Sequence, residues 1–241
     1  MTTWPMLTLL LVMGVVVLAD DSVRLLTKST SPLTSSTLRW VHGNQAASFM
    51  TEMVRGTIAR PEASEDYAAD ATTEDDEVEE EAPVMEVDEE GPLGHGEESI
   101  LVCRARHNGD LLPGALIRDE CMVSLARQVA RYKRYDVLRN VEGSSRLQWR
   151  HWTRFNGIPA GAVSADGQGY VARRRAGPDA EHSHYMGRLD LSVGLGRVYV
   201  MEPDPSRSWV EKDYLEGEVL VELEPLKYEL QNVVLNERRV K

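Results

Sequence analysis

The chain has 241 residues and a formal net charge of −12. That average hides a division: residues 61–99 hold 17 Asp and Glu and no Lys or Arg, so the rest carries 27 basic against 39 − 17 = 22 acidic residues, a net of +5. A mildly basic body with a strongly acidic insert argues against nucleic acid as the ligand, because the insert would repel phosphate.

Met6–Ala19 is an apolar run of 14 residues followed by Asp20 and Asp21. It is short for a membrane span and of the right length for a signal-peptide core. Val17-Leu18-Ala19 supplies the residues a signal peptidase takes, although no Lys or Arg precedes the run. An uncleaved anchor is the alternative; the reading adopted is a signal peptide over 1–19, a secreted, extracellular product and no membrane span in the mature chain. Residues 20–37 are rich in Ser and Thr and read as a flexible segment, extended or disordered. Leu38-Arg39-Trp40-Val41-His42-Gly43 begins a folded unit, and Phe49, Met50, Met53 and Val54 have the spacing of a short amphipathic helix within 45–59. Residues 61–98 are acidic and poor in large apolar side chains, so they are expected to be a disordered insert.

From Ile100 the pattern becomes β. Ile100–Ala105 reads as a strand with both faces covered, His107-Asn108-Gly109-Asp110 as a hairpin, and Leu111-Leu112-Pro113-Gly114 as the start of the return strand. Over 121–138 two readings compete. Met122, Leu125, Ala126, Val129 and Tyr132 are spaced as on a helix, while Tyr135-Asp136-Val137-Leu138 looks like a strand. Cys103 and Cys121 suit a disulfide in an oxidising compartment, with two buried thiols as the alternative.

Trp149–Arg175, WRHWTRFNGIPAGAVSADGQGYVARRR, reads as strand, turn and strand, with Pro159 holding Ile158 extended. It also starts a second copy of what precedes it. Tyr170-Val171-Ala172-Arg173 echoes Leu101-Val102-Cys103-Arg104, and Gly187-Arg188-Leu189 echoes Gly114-Ala115-Leu116. The first repeat then covers 38–140 and the second 147–241, the latter including the alternating run Glu218–Leu223 and a further extended run Tyr228–Leu235.

These motifs resemble the DM-nine repeat family. The resemblance rests on Trp152, Gly157, Ile158, Pro159, Gly161, Ala162, Val163, Tyr170, Val171 and Arg173 in one copy. In the other it rests on Val102, Arg104, Ala105, Gly109, Asp110, Pro113, Gly114, Cys121, Tyr135, Val137 and Leu138. It implies an all-β fold in which two tandem repeats form an antiparallel β-sandwich-like unit with pseudo-two-fold symmetry. It favours strands at 121–125 and 135–138 over the helix that periodicity alone gives. It also implies a lectin-like role, since some members bind mannose-type sugars and others respond to pathogens or accompany pore-forming domains.

The family's sugar contacts are an acidic residue in the turn after Gly-Ala-Val and a Lys after Pro-Gly. The acidic position falls on Asp166; the Lys position falls on Ala115 in the first copy and on Arg188 in the second. Asp166 would accept from paired hydroxyls, Arg188 would donate, and Trp149 or Trp152 could stack on a pyranose ring. The expected partner is therefore a glycan or, alternatively, a protein bound by a diverged scaffold through its surface or acidic insert, with a homodimer as a candidate assembly. No cofactor is expected. His182-Ser183-His184 beside Asp179 and Glu181 lacks a third ligand at a fixed spacing and reads as a solvated loop, not a metal site. No G-x-S-x-G, H-E-x-x-H, P-loop or G-x-G-x-x-G occurs, and a methyltransferase would need a Gly-rich loop opening a helix, so the chain is not read as an enzyme.

Overall fold

The computed structural model describes residues 21–26, 32–59, 97–165 and 169–223. The segment read as a signal peptide, most of the acidic insert and the run Tyr228–Leu235 lie outside the described residues. Apart from a helical stretch over 43–52 and a 3-10 turn at Val141–Gly143, the regular structure of the described chain is antiparallel β, in one nearly closed, sandwich-like sheet.

The strands of the first half are β1 (Ser22–Leu26), β2 (Pro32–His42), β3 (Arg55–Ala59), β4 (Glu98–His107), β5 (Asp110–Ile117), β6 (Glu120–Leu125), β7 (Gln128–Tyr132) and β8 (Asp136–Asn140). Those of the second are β9 (Arg146–Thr153), β10 (Val163–Ser164), β11 (Gly169–Arg175), β12 (His184–Asp190), β13 (Arg197–Pro203), β14 (Trp209–Tyr214) and β15 (Glu216–Leu223). Both halves use one pairing scheme. β4 to β7 and β11 to β14 are meanders; β8 returns to pair with β4 and β2, and β15 returns to pair with β11 and β9. Register then equates Trp40 with Trp149, Cys103 with Ala172, Ala115 with Arg188 and Met122 with Tyr199.

Two glycines at equivalent positions show why the repeat keeps its Gly after β4 and β11. A Cβ on Gly114 would lie 1.8 Å from the Met122 carbonyl oxygen, and one on Gly187 would lie 1.9 Å from that of Tyr199. Only a residue without a side chain lets these strands approach so closely. The disulfide Cys103–Cys121 joins β4 to β6 across this narrow point, with Cα atoms 6.0 Å apart.

The helix-like spacing of 121–132 is overruled by two tight turns. Arg118-Asp119 and Ala126-Arg127 all have positive φ, 50° and 62° and then 53° and 68°, as two-residue hairpin turns matching strand twist require. The competing strand reading is the one realised, with β7 as an additional strand. The helix proposed within 45–59 covers only its first part, because Arg55–Ala59 pair with β4 as β3. Of residues 20–37, read as either extended or disordered, the described ones are extended and held in place: β1 pairs with β2, and Val23 is fully buried. Polar side chains in that stretch have partners in the finished sheet: the hydroxyls of Ser35 and Thr37 donate to the Glu222 carboxylate.

The halves share one core, in which Leu38, Trp40, Val102 and Leu138 of the first pack with Val163, Val171, Met201 and Leu220 of the second. They are also cross-tied by a pair of buried arginines. Arg104 donates from Nε to Asp136 Oδ2 (2.9 Å) and from Nη1 to the Ala165 carbonyl (3.0 Å), with its guanidinium 4.8 Å from the Trp40 ring. Its counterpart Arg173 donates from Nε to Glu218 Oε2 (2.5 Å) and from Nη1 to the Gly56 carbonyl (3.0 Å), 4.2 Å from the Trp149 ring. Each arginine pairs with a carboxylate of its own half and a carbonyl of the other. The Arg of the Val-x-Arg motif is therefore a fastening between repeats.

Candidate functional site

The cross-tied arrangement brings the β6–β7 turn of the first half over β12, β13 and β14 of the second. Between them is an open polar cleft of about 580 Å³ lined by Leu125, Ala126, Arg127, Arg188, Arg197, Tyr199, Glu211 and Asp213. Its floor is a buried ion pair. Arg188, 5% exposed, donates from Nη2 to Glu211 Oε1 at 3.1 Å and from Nη1 to the Ser124 carbonyl and hydroxyl, and its guanidinium lies 4.5 Å from the Tyr199 ring. The second oxygen of Glu211 accepts the backbone N–H of Arg127 at 3.1 Å. That contact holds the Ala126-Arg127 hairpin turn against the second half.

The rim is Arg197 hydrogen-bonded to Asp213, both substantially exposed, beside the half-buried Tyr199. Burial is the first cause that pushes the Tyr199 phenol above its ordinary value, so it remains a hydroxyl donor at neutral pH. The cleft thus offers a guanidinium, a carboxylate, a phenol and an aromatic surface within one concavity. That set can donate to and accept from neighbouring hydroxyls while presenting apolar area to C–H groups.

The equivalent place in the first half is closed. Ala115 replaces Arg188, Met122 replaces Tyr199 and Val129 replaces Glu211. The space there is about 10 Å³, lined by Ile100, Ile117, Met201 and Trp209 among others. One repeat keeps a polar cleft; the other has become core.

The residues singled out from the sequence fare differently. Arg188 lies on the floor of the cleft, with its donors already engaged by protein. Asp166 lies outside the described residues. Trp152 cannot stack on a sugar: it is 1% exposed, enclosed with Ala162, Tyr170, Leu189 and Val219. A Trp that opens a repeat is drawn inside because its large apolar area is worth more in the core. Trp149 is half-buried and carries Arg173 on its ring. Ser124, Glu211, Tyr199, Arg197 and Asp213 were not foreseen, because they come from three strands of two halves and no linear spacing links them. The one available signal was the run of three charged residues Glu211-Lys212-Asp213 between Trp209-Val210 and Tyr214.

His182 is also not solvated as expected. It is 6% exposed, its ring 5.5 Å from that of Trp209 and 6.4 Å from that of Tyr185, while His184 turns to Glu218 (3.7 Å). Among the described residues, no three His, Cys, Asp or Glu are grouped to hold a metal. Burial pushes the His182 imidazole below its ordinary value, against the opposing charge of Glu181. The unfolded chain then binds a proton that the folded one refuses, so stability should fall as pH drops through about 6.5, the ordinary His value, and level off below the depressed folded value. Urea unfolding between pH 7.5 and 5 should show this slope, and His182→Phe should remove that part of it; equal slopes in the two chains would show that His182 does not contribute.

Residues 94–177, from the edge of β4 to just past β11, match the DM9 repeat. The chain carries a DM9 repeat. It is also 33% identical over 153 residues to "Protein unzipped" of Drosophila melanogaster, a match that covers 58% of this chain and 30% of that protein. The chain therefore spans less than a third of the length of this relative. The matched DM9 segment includes Pro113-Gly114, Ile158-Pro159 and both cross-tying arginines, so the motif positions are the ones that set the strand approach and join the halves.

Proposed function

We propose that this DM9 chain is a secreted, non-enzymatic binding protein that takes a mannose-type carbohydrate in the cleft above Arg188, in a setting of innate recognition. The observation that carries the reading is the asymmetry of the two halves. Where the first half fills the position with Ala115 and Met122, the second keeps Arg188, Tyr199 and Glu211 around an open cleft. A buried ion pair left open to solvent on one side is costly to retain for packing alone, since a hydrophobic replacement serves as well. Its counterpart is such a replacement.

Arg197 and Asp213, paired with each other at the exposed rim, and Tyr199 beside them are the groups placed to meet a bound polyol, while the Arg188–Glu211 pair fixes the floor. Hydrogen bonds to charged groups contribute about 1.5–3 kcal/mol each, so Arg197→Ala or Asp213→Ala should weaken binding roughly 10- to 100-fold. A glycan array on the chain recovered from secreting cells, followed by titration of the bound sugar with these variants, tests the reading. Binding that both variants leave intact would remove the cleft from the mechanism. Absence of any glycan binding, with a captured protein lost on deleting 61–98, would favour the protein-partner alternative. Recovery of a chain from the medium that begins at Asp20 is the expected sign of the signal peptide.

A further inference from the structure

One edge of the pseudo-symmetric sheet is covered and its counterpart is not. β1 lies between β2 of its own half and β10 of the other, Ser22 opposite Arg39, and Arg24 and Leu25 opposite Ser164 and Val163. Beneath it, Leu38 and Trp40 are 0% and 1% exposed. The pseudo-two-fold exchanges β2 for β9 and β10 for β3, so a matching slot lies between β9 and β3. Among the described residues no strand fills it: β15 is the one strand neighbour of β9, and β4 that of β3. The slot is a cleft of about 620 Å³ with Val54, Leu147, Trp149 and Leu220 on its floor and Arg55 and Arg146 at its rim. Leu147 and Trp149, the counterparts of the enclosed Leu38 and Trp40, are only half-buried. The link from β8 to β9 is residues 141–145, too short to supply a strand of its own.

We propose that this cleft is a strand-acceptor site and that residues 224–241, the segment following β15, are its occupant. Leu223, the last residue of β15, itself lines the cleft and pairs with Arg146. Beyond it the chain continues for 241 − 223 = 18 residues. Residues 224–227 serve to pass the end of β9, and Tyr228–Leu235 then supplies eight residues, about 26 Å when extended, which exceeds the five of β1. The run opens Tyr228, Glu229, Leu230, Gln231, so over these four residues, before Asn232 interrupts the pattern, one face is apolar and suits the floor, while Glu229 meets a rim that carries Arg55 and Arg146 beside Glu52. Leaving Leu223 at the Arg146 end, the segment runs alongside β9 in the same direction, where β1 runs opposite to β2. A tether of a few residues gives an effective concentration in the mM range, which favours this segment over a second copy. The backbone of β9 provides the ladder and the apolar floor the selectivity, as in strand addition to other sheet edges. This site is separate from the polar cleft and does not rest on sugar binding.

Hydrogen exchange read by mass spectrometry tests the proposal on the full chain and on a chain ending at Leu223. The full chain should protect amides at 53–56 and 146–149, truncation should speed their exchange at least tenfold, and a synthetic 224–241 peptide should restore protection. Within the full chain, Leu230→Lys should strip the same protection while Gln231→Lys should leave it, a contrast that holds even if the truncated chain fails to fold. Equal exchange in full and truncated chains, equal effects of the two substitutions, or protection that rises with chain concentration and persists after truncation would overturn it, the last pointing to a second copy as occupant.

Discussion

Arg173→Ala is expected to destabilise the fold by about 3–5 kcal/mol, the cost of breaking a buried ion pair by removing one partner. On a stability of about 5–15 kcal/mol that is enough to unfold much of the population under mild denaturant. The substitution strands three groups at once. Glu218 loses its guanidinium, the Gly56 carbonyl loses its donor, and the Trp149 ring loses the cation over its face. Because Glu218 is partly open to solvent, the lower end of the range is the better expectation. Arg173→Lys should recover little, since an ammonium cannot reach carboxylate and carbonyl together in the planar geometry of a guanidinium. Arg104→Ala removes the symmetric fastening and should cost a similar amount. Urea midpoints of the three variants check this; a loss below about 1 kcal/mol for Arg173→Ala would show that the cross-tie is not what joins the halves.

Much of this architecture is legible in the chain where local chemistry agrees with the fold. Asn108-Gly109 announces its hairpin because both residues enter the left-handed region cheaply, and they do so at φ 51° and 101°. Pro113-Gly114 marks a strand that must pass close to another backbone. The repeat itself is readable from Arg104 and Arg173, although their role as fasteners is not, because their acceptors Ala165 and Gly56 belong to the opposite half. The failures have physical reasons of the same kind. Ala126-Arg127 are helix formers forced into a turn by the strands on either side, so helical periodicity persisted in a hairpin. β1 lacks any β signature beyond Val23 and two leucines; it is held by edges that only the finished sheet presents. Trp152 looked like a stacking platform because a sequence does not say which face of a strand the core will claim.

The second large effect concerns the disulfide, and the pseudo-symmetry supplies its control. Cys103 and Cys121 are fully buried among Ala105, Leu112 and Val123. The second half places Ala172 and Val198 at the same register positions, equally buried and with no covalent link. The fold therefore packs this point with small apolar side chains alone, and the bridge acts chiefly on the unfolded chain. For a sequence separation of 18 residues, the loop-entropy account gives about 3 kcal/mol. Cys103→Ala with Cys121→Val, which copies the second half into the first, should fold and lose about that amount, lowering Tm by roughly 6–12 °C for a chain of this size. Replacing both cysteines by Ser should cost more, because two hydroxyls would then sit in an apolar cluster without assured partners. Calorimetry of the oxidised chain against the two double variants separates the contributions. If the Ala/Val variant melts with the oxidised chain, closure of the loop contributes nothing; if it melts with the Ser variant, packing at the first half's narrow point differs from that of its counterpart despite the shared register.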